Sequence, residues 1–172
     1  TWCSPAADRP VRTPPSRLVR GSLVSWIGAS VTAPLTVIMR AQLLANSTAT
    51  SPAGVFPRLV RLVNAAGADI VSMYLQAATG KPFAQGLQGG VTSSSVLAAA
   101  PTIAAGDDIF LAAVATPTTL QIFLSINGST LLAGPVVTTS GALDFASQLI
   151  LDGLANMSVE QVIVIGAAMS QT

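Results

Sequence analysis

Seven carboxylates, eight cationic side chains and no histidine make up the acid–base inventory of this chain. Without histidine the commonest general base is gone, and with it every Ser–His or Cys–His nucleophile pair. Glycoside hydrolysis needs only carboxylates, but two must flank the scissile bond, about 5–5.5 Å apart for retention and further for inversion. The chain has a single glutamate, Glu160, and no acidic pair two or four residues apart that would share one strand face. Asp107 and Asp108 are adjacent, so an extended strand points them to opposite faces. They read as a solvated turn ahead of a strand. Ser93-Ser94-Ser95 has no neighbour that would activate a hydroxyl. No catalytic residue is assigned, and the chain is expected not to be an enzyme.

Metal chemistry fares no better. Calcium takes six to eight oxygen ligands, several of them carboxylates, whereas the aspartates beyond the arm are only Asp69, Asp107, Asp108, Asp144 and Asp152, all in or beside expected turns. Cys3 is the only cysteine, which excludes an internal disulfide framework and a cysteine metal site. It is expected as a free thiol. No metal or cofactor is expected.

Binding chemistry has more to work with. Arg9, Arg12, Arg17 and Arg20 place half the basic charge in the first twenty residues, among Pro5, Pro10, Pro14 and Pro15. Those prolines forbid helix and favour an extended arm. Its arginines are candidates for pairing with carboxylates or carbonyls of a neighbouring subunit. Four arginines without interleaved aromatics give little ground for nucleic-acid binding. The arm has no apolar stretch of the kind a secretory leader needs. Trp26 is expected as a core or interface anchor, and Tyr74 as a core residue with its hydroxyl at an edge. Both are also the candidate aromatics for an interface or a glycan. Sequons at Asn46, Asn127 and Asn156 fall in expected turns.

The elements that must position these residues are strands. Ile109–Ala115 and Leu120–Ile126 flank the turn Thr116-Pro117-Thr118, and Ser129–Ala133 follows Asn127-Gly128. Asn-Gly suits a type I′ turn, in which both central residues need positive φ. Leu120, Ile122, Leu124 and Ile126 alternate with Gln121, Phe123 and Ser125, so one sheet face takes the apolar set. Further strands are expected at Ser22–Ile27, Leu35–Leu44, Arg58–Asn64, Asp69–Ala77, Phe83–Leu87, Val91–Ala99, Val136–Thr139, Ser147–Leu151 and Gln161–Ala167. Arg58–Asn64 and Asp69–Ala77 pair as a hairpin across Ala65-Ala66-Gly67-Ala68. Asn46–Gly54 is a loop by composition, and Ala98–Ala100 and Gly141–Ala146 are expected to hold at most a helical turn. About eleven short strands at regular spacing predict an all-β sandwich or barrel.

Composition bears on the surface. Hydrophobic residues make up 51% and charged residues 9%, against roughly 25% charged in ordinary soluble domains. No stretch is long and apolar enough for a membrane helix, and aromatics at 5% are too few for the girdles of a membrane barrel. A surface so poor in charge favours association.

The order of elements resembles the concanavalin A-like lectin and glucanase superfamily, in particular its laminin-G-like jelly rolls. The segments that carry the likeness are DDIFLAAVATPTTLQIFLSING, QLILDG and VEQVIVIGAAMS, with TVIMRAQLL and RLVRLVNAAGADIVSMYLQ upstream. It spans roughly residues 22–170. The family's frequent aromatic ahead of the meander is replaced here by Ile109-Phe110, which weakens the analogy for a ligand. The resemblance implies an antiparallel two-sheet jelly-roll sandwich over residues 22–172, preceded by the extended arm over residues 1–21. Members of the superfamily occur as lectins, glycoside hydrolases, adhesion modules and phage virion proteins. Low charge, the jelly roll and the arm together lead to the expectation of a structural virion protein. It would be a capsid decoration, minor capsid, tail or fibre component that contacts copies of itself and neighbouring virion proteins. The alternative expectation is a non-catalytic carbohydrate-binding module or adhesin, extracellular and taking a host glycan. A third is a secreted surface-layer component.

Overall fold

A computed structural model describes residues 16–17, 23–31, 33–45, 58–76, 79–88, 91–139, 146–152 and 157–166. Every regular element among them is a strand, and two antiparallel sheets face each other. One sheet runs β1 (Ser16–Arg17), β13 (Met157–Ile165), β3 (Leu35–Leu43), β8 (Asp108–Ala115), β9 (Thr119–Ile126) and β10 (Leu132–Ala133), with β11 (Val137–Thr138) also paired to β9. The other runs β2 (Leu23–Val31), β12 (Ala146–Asp152), β4 (Arg58–Val63), β5 (Asp69–Leu75), β6 (Pro82–Gln88) and β7 (Val91–Val96). The last two strands are inserted rather than appended. β12 lies between β2 and β4, and β13 lies between β1 and β3. Among the described residues no helix is long and apolar enough to cross a membrane.

The meander forms as its turn residues dictate. Asn127 and Gly128 have φ of 51° and 70°, and the Ser129 N–H donates to the Ile126 carbonyl at 2.9 Å, which closes a type I′ turn. The Asn127 side chain adds to it: its Oδ1 accepts from the Asp108 N–H at 2.9 Å and its Nδ2 donates to Asp107 at 2.8 Å. At the other end, Thr116 Oγ1 accepts from the N–H groups of Thr118 and Thr119. Leu120, Ile122 and Leu124 fill the core against Val37, Met39, Ala41 and Leu43 of β3 and Leu111 and Ala113 of β8. From the facing sheet come Val60, Leu62, Val71, Met73, Leu75 and Ala84.

One polar side chain joins the two sheets through this apolar layer. The β9 ladder is interrupted between β10 and β11, where Pro135 has no N–H to give. There the buried Ser95 hydroxyl of β7 accepts from the Ile122 N–H at 3.3 Å and donates to the Pro135 carbonyl at 2.7 Å. The approach is close enough to require glycine next door: a Cβ on Gly134 would meet Ile122 Cγ2 at 2.7 Å and Ser95 Oγ at 3.1 Å.

Thirteen strands are present among the described residues where about eleven were expected, and of the boundaries that move, two have a visible physical reason. The final strand starts at Met157 rather than Gln161. Its register passes from Val159↔Ala41 to Gln161↔Arg40, so Glu160 is the extra residue of a bulge and interrupts the period-two pattern. The third strand of the meander shrinks to Leu132–Ala133, because Ser129 is spent on the turn: its Oγ accepts from the Ile126 N–H and its carbonyl accepts from Ser125 Oγ. Of the arm, Ser16 and Arg17 pair with Val159 and Ser158 of the same chain. Cys3, Arg9, Arg12, Arg20 and the loop over 46–54 lie outside the described residues, as do Asn46, Asn156 and all of the turn expected over Gly141–Ala146 except Ala146, which opens β12.

Candidate functional site

Register fixes which way the middle of the six-stranded sheet points. Met73, Ala84 and Ser95 stand opposite one another on β5, β6 and β7, and Ser95 bonds into the other sheet, so this row faces inward. The alternate row, Ser72, Tyr74, Phe83, Gln85 and Ser94, faces outward. Tyr74 and Phe83 are direct cross-strand partners whose rings stack at 4.9 Å and 13°, and each is only 6% exposed.

Asp69 opens β5, just where the β4–β5 register slips between Leu62 and Val63. The slip breaks strict alternation and brings the carboxylate out to meet two partners. Arg61 places Nε at 2.6 Å and Nη2 at 2.5 Å from Oδ1. The Tyr74 hydroxyl donates to Oδ2 at 2.9 Å. The ion pair is mostly screened from solvent, with side chains 18% and 27% exposed. An ion pair this far from water recovers little of its desolvation cost in stability. Such a network, with Arg58 also standing opposite Tyr74 across the β4–β5 ladder, is therefore a functional-site candidate. Burial, together with the neighbouring Asp69 carboxylate, pushes the Tyr74 phenol above its ordinary value.

The network walls a hollow of about 200 Å³ lined by Asp69, Gln85, Gly86, Leu87 and Thr92. Each carboxylate oxygen has two acceptor positions, so Asp69 keeps capacity after Arg61 and Tyr74 are served. Gln85 offers both a donor and an acceptor, Thr92 a hydroxyl, and Leu87 a small apolar surface. That set suits a polyhydroxylated ligand: hydroxyls to share between carboxylate and amide, and C–H groups to rest on Leu87. Asp69 is the sole carboxylate among the described lining residues. Among the described residues no three His, Cys, Asp or Glu side chains gather as metal ligands.

Of the residues singled out from sequence, Tyr74 belongs to this site. Its ring is covered, and what it contributes is the hydroxyl that holds Asp69. Trp26 is not brought to it: it lies on β2 in register with Leu149, and β12 and β4 separate its strand from β5. Arg17 lies at the edge of the opposite sheet. Sequence reasoning missed Arg61, Gln85 and Thr92, and took Asp69 as a turn carboxylate. The hairpin around Ala65–Ala68 did hold a clue, since it folds Arg61 back towards Asp69.

No family model matches the sequence, and no curated protein is similar to it. Solved structures are. A heptameric SAP-like pentraxin from Limulus polyphemus superimposes with a TM-score of 0.57 and 10% identity, over 98% of this chain and 80% of that one. Domains LG4-5 of the mouse laminin alpha1 chain give 0.55 and 15%, over 93% of this chain and 45% of that one. A single mutant of congerin II gives 0.51 and 12%, over 83% and 99%. At such identities likeness speaks for the fold alone, and that fold is the concanavalin A-like jelly-roll sandwich.

Proposed function

We propose that this chain is a non-catalytic glycan-binding module whose ligand occupies the hollow on the outer face of the six-stranded sheet. The observation that carries the reading is Asp69, fixed from behind by Arg61 and Tyr74 and open in front to Gln85, Leu87 and Thr92. A carboxylate held this way has lost its rotational freedom before the ligand arrives, which lowers the cost of binding. A lone carboxylate can accept hydroxyl hydrogen bonds but cannot supply the pair that glycoside hydrolysis uses. The jelly-roll fold, whose superfamily includes lectins, supports the same reading. The virion-subunit expectation draws no support from the comparisons, and the glycan-binding alternative is preferred to it. A glycan-binding role fits an extracellular location or the outside of a virion.

The test is calorimetry of the full chain against neutral oligosaccharides chosen from a glycan array. Gln85→Ala and Thr92→Ala leave the Arg61–Asp69–Tyr74 network in place and are each expected to weaken binding about tenfold, or about 1.4 kcal/mol. Asp69→Asn is expected to lose more, because the Arg61 charge is then left without its partner. Wild-type affinity in both the Gln85 and the Thr92 variants would sink the assignment of the site.

A further inference from the structure

The opposite sheet carries a second hollow, made by different residues. On β3, β8 and β9 the core side chains Met39, Leu111 and Leu124 stand in register, so the alternate row of Arg40, Phe110 and Ser125 faces outward. Phe110 is 37% exposed. A hollow of about 400 Å³ opens beside it, lined also by Arg40, Asp108, Ser125, Asn127 and Gly128. An apolar ring kept in water on a sheet face carries a free-energy cost that a ligand would remove.

The polar groups of this hollow divide into those already committed and those free. Ser125 Oγ donates to the Ser129 carbonyl at 2.6 Å, and both ends of the Asn127 amide are occupied by Asp107 and Asp108. Arg40 is held through Nε by Glu160 at 3.0 Å, the residue that the β13 bulge pushes out of the ladder. Its terminal nitrogens, and the Asp108 carboxylate, have no partner among the described residues. Arg40 lies across the ladder from Phe110, and Asp108 lies two residues along the same strand. An aromatic face with a hydroxyl acceptor and a fixed donor beside it is complementary to a pyranose, whose ring hydrogens make one face apolar while its hydroxyls project from the rim. The local charges, Arg40 against Asp107, Asp108 and Glu160, disfavour an anionic sugar.

We propose that the Phe110 hollow is a second saccharide site, taking a neutral pyranose against the ring with its hydroxyls bonded to Asp108 and Arg40. It stands on another face and other residues than the Asp69 hollow, so neither assignment depends on the other.

The experiment is a nitrogen-15 NMR titration of the full chain with cellohexaose, maltohexaose and laminarihexaose, and with hexagalacturonate as the anionic probe. At least one neutral hexamer is expected to shift the amides of Arg40, Phe110, Ser125 and Gly128 saturably. Phe110→Ala is expected to weaken that response about tenfold, while Phe110→Tyr retains it and Gln85→Ala leaves it unchanged. The proposal is overturned if these amides stay still with all three neutral hexamers at ~10 mM, a concentration that detects millimolar binding. It is equally overturned if Phe110→Ala responds as the wild type does, or if hexagalacturonate shifts them as strongly. Shifts confined to the amides around Gln85 and Thr92 would uphold the first site and reject this one.

Discussion

Tyr74 is the only tyrosine in the chain, so the phenolate absorbance near alkaline pH reports one hydroxyl that is both buried and bonded to a carboxylate. Because its folded value is raised above 10, the unfolded chain releases that proton first. Stability is thus unaffected below pH 10 and falls as the pH climbs from 10 towards the folded value. A spectrophotometric titration should show the phenolate appearing later in the native protein than in urea; coincident curves would contradict the burial and bonding described. Tyr74→Phe keeps the stacking on Phe83 and removes the hydroxyl, at an expected cost of ~1 kcal/mol in urea unfolding. Asn127 makes a different contribution. Its positive φ and its two side-chain hydrogen bonds belong to the turn, so Asn127→Ala should destabilise by ~1–2 kcal/mol. A loss within error would mean that the Asp107 and Asp108 contacts are incidental.

At the scale of the element, the β7–β9 contact sets the tolerance of the sandwich to change. Ser95→Ala leaves the Ile122 N–H and the Pro135 carbonyl without their bridge and should cost ~1–3 kcal/mol. Gly134→Ala drives a methyl into Ile122 and should cost a similar ~1–3 kcal/mol through overpacking. The two share one contact, so the double variant should be less destabilised than the sum, a non-additivity that a double-mutant cycle in urea measures. Most strands and turns were legible in the sequence because each rests on local chemistry: Asn127-Gly128, Thr116-Pro117-Thr118, and the alternation in β3 and β9. Both hollows escaped it. The Asp69 network depends on a register slip between Leu62 and Val63, and the Arg40–Glu160 pair on a bulge; no local pattern announces either. In β8 the two alternating rows, Phe110, Ala112 and Val114 against Ile109, Leu111 and Ala113, are both apolar. Only pairing with β3 and β9 shows which row faces out. The bridging role of Ser95 was not legible because its partner lies in another strand, 27 residues on.

For the whole molecule, the two proposed sites lie on opposite outer faces, an arrangement that would let one chain engage two glycan strands without dimerising. With a soluble polysaccharide built from the neutral repeat preferred by both sites, the wild type should produce turbidity at a stoichiometric optimum. Phe110→Ala and Gln85→Ala each weaken one site about tenfold and leave the other intact, so each should still bind that polymer but cross-link it less, with turbidity reduced against the wild type. Turbidity equal to the wild type's in both variants would point to bridging through subunit association instead. The placing of β12 and β13 inside their sheets has a consequence for synthesis. While the ribosome is still adding residues before 146, β3 and β4 each have one flank with nothing to pair with, and β1 and β2 have no partner at all. Pairings so distant in sequence are slow to close, and unpaired strand edges invite aggregation. Those edges stay open in the nascent chain until β12 and β13 emerge, and only then can either sheet be completed.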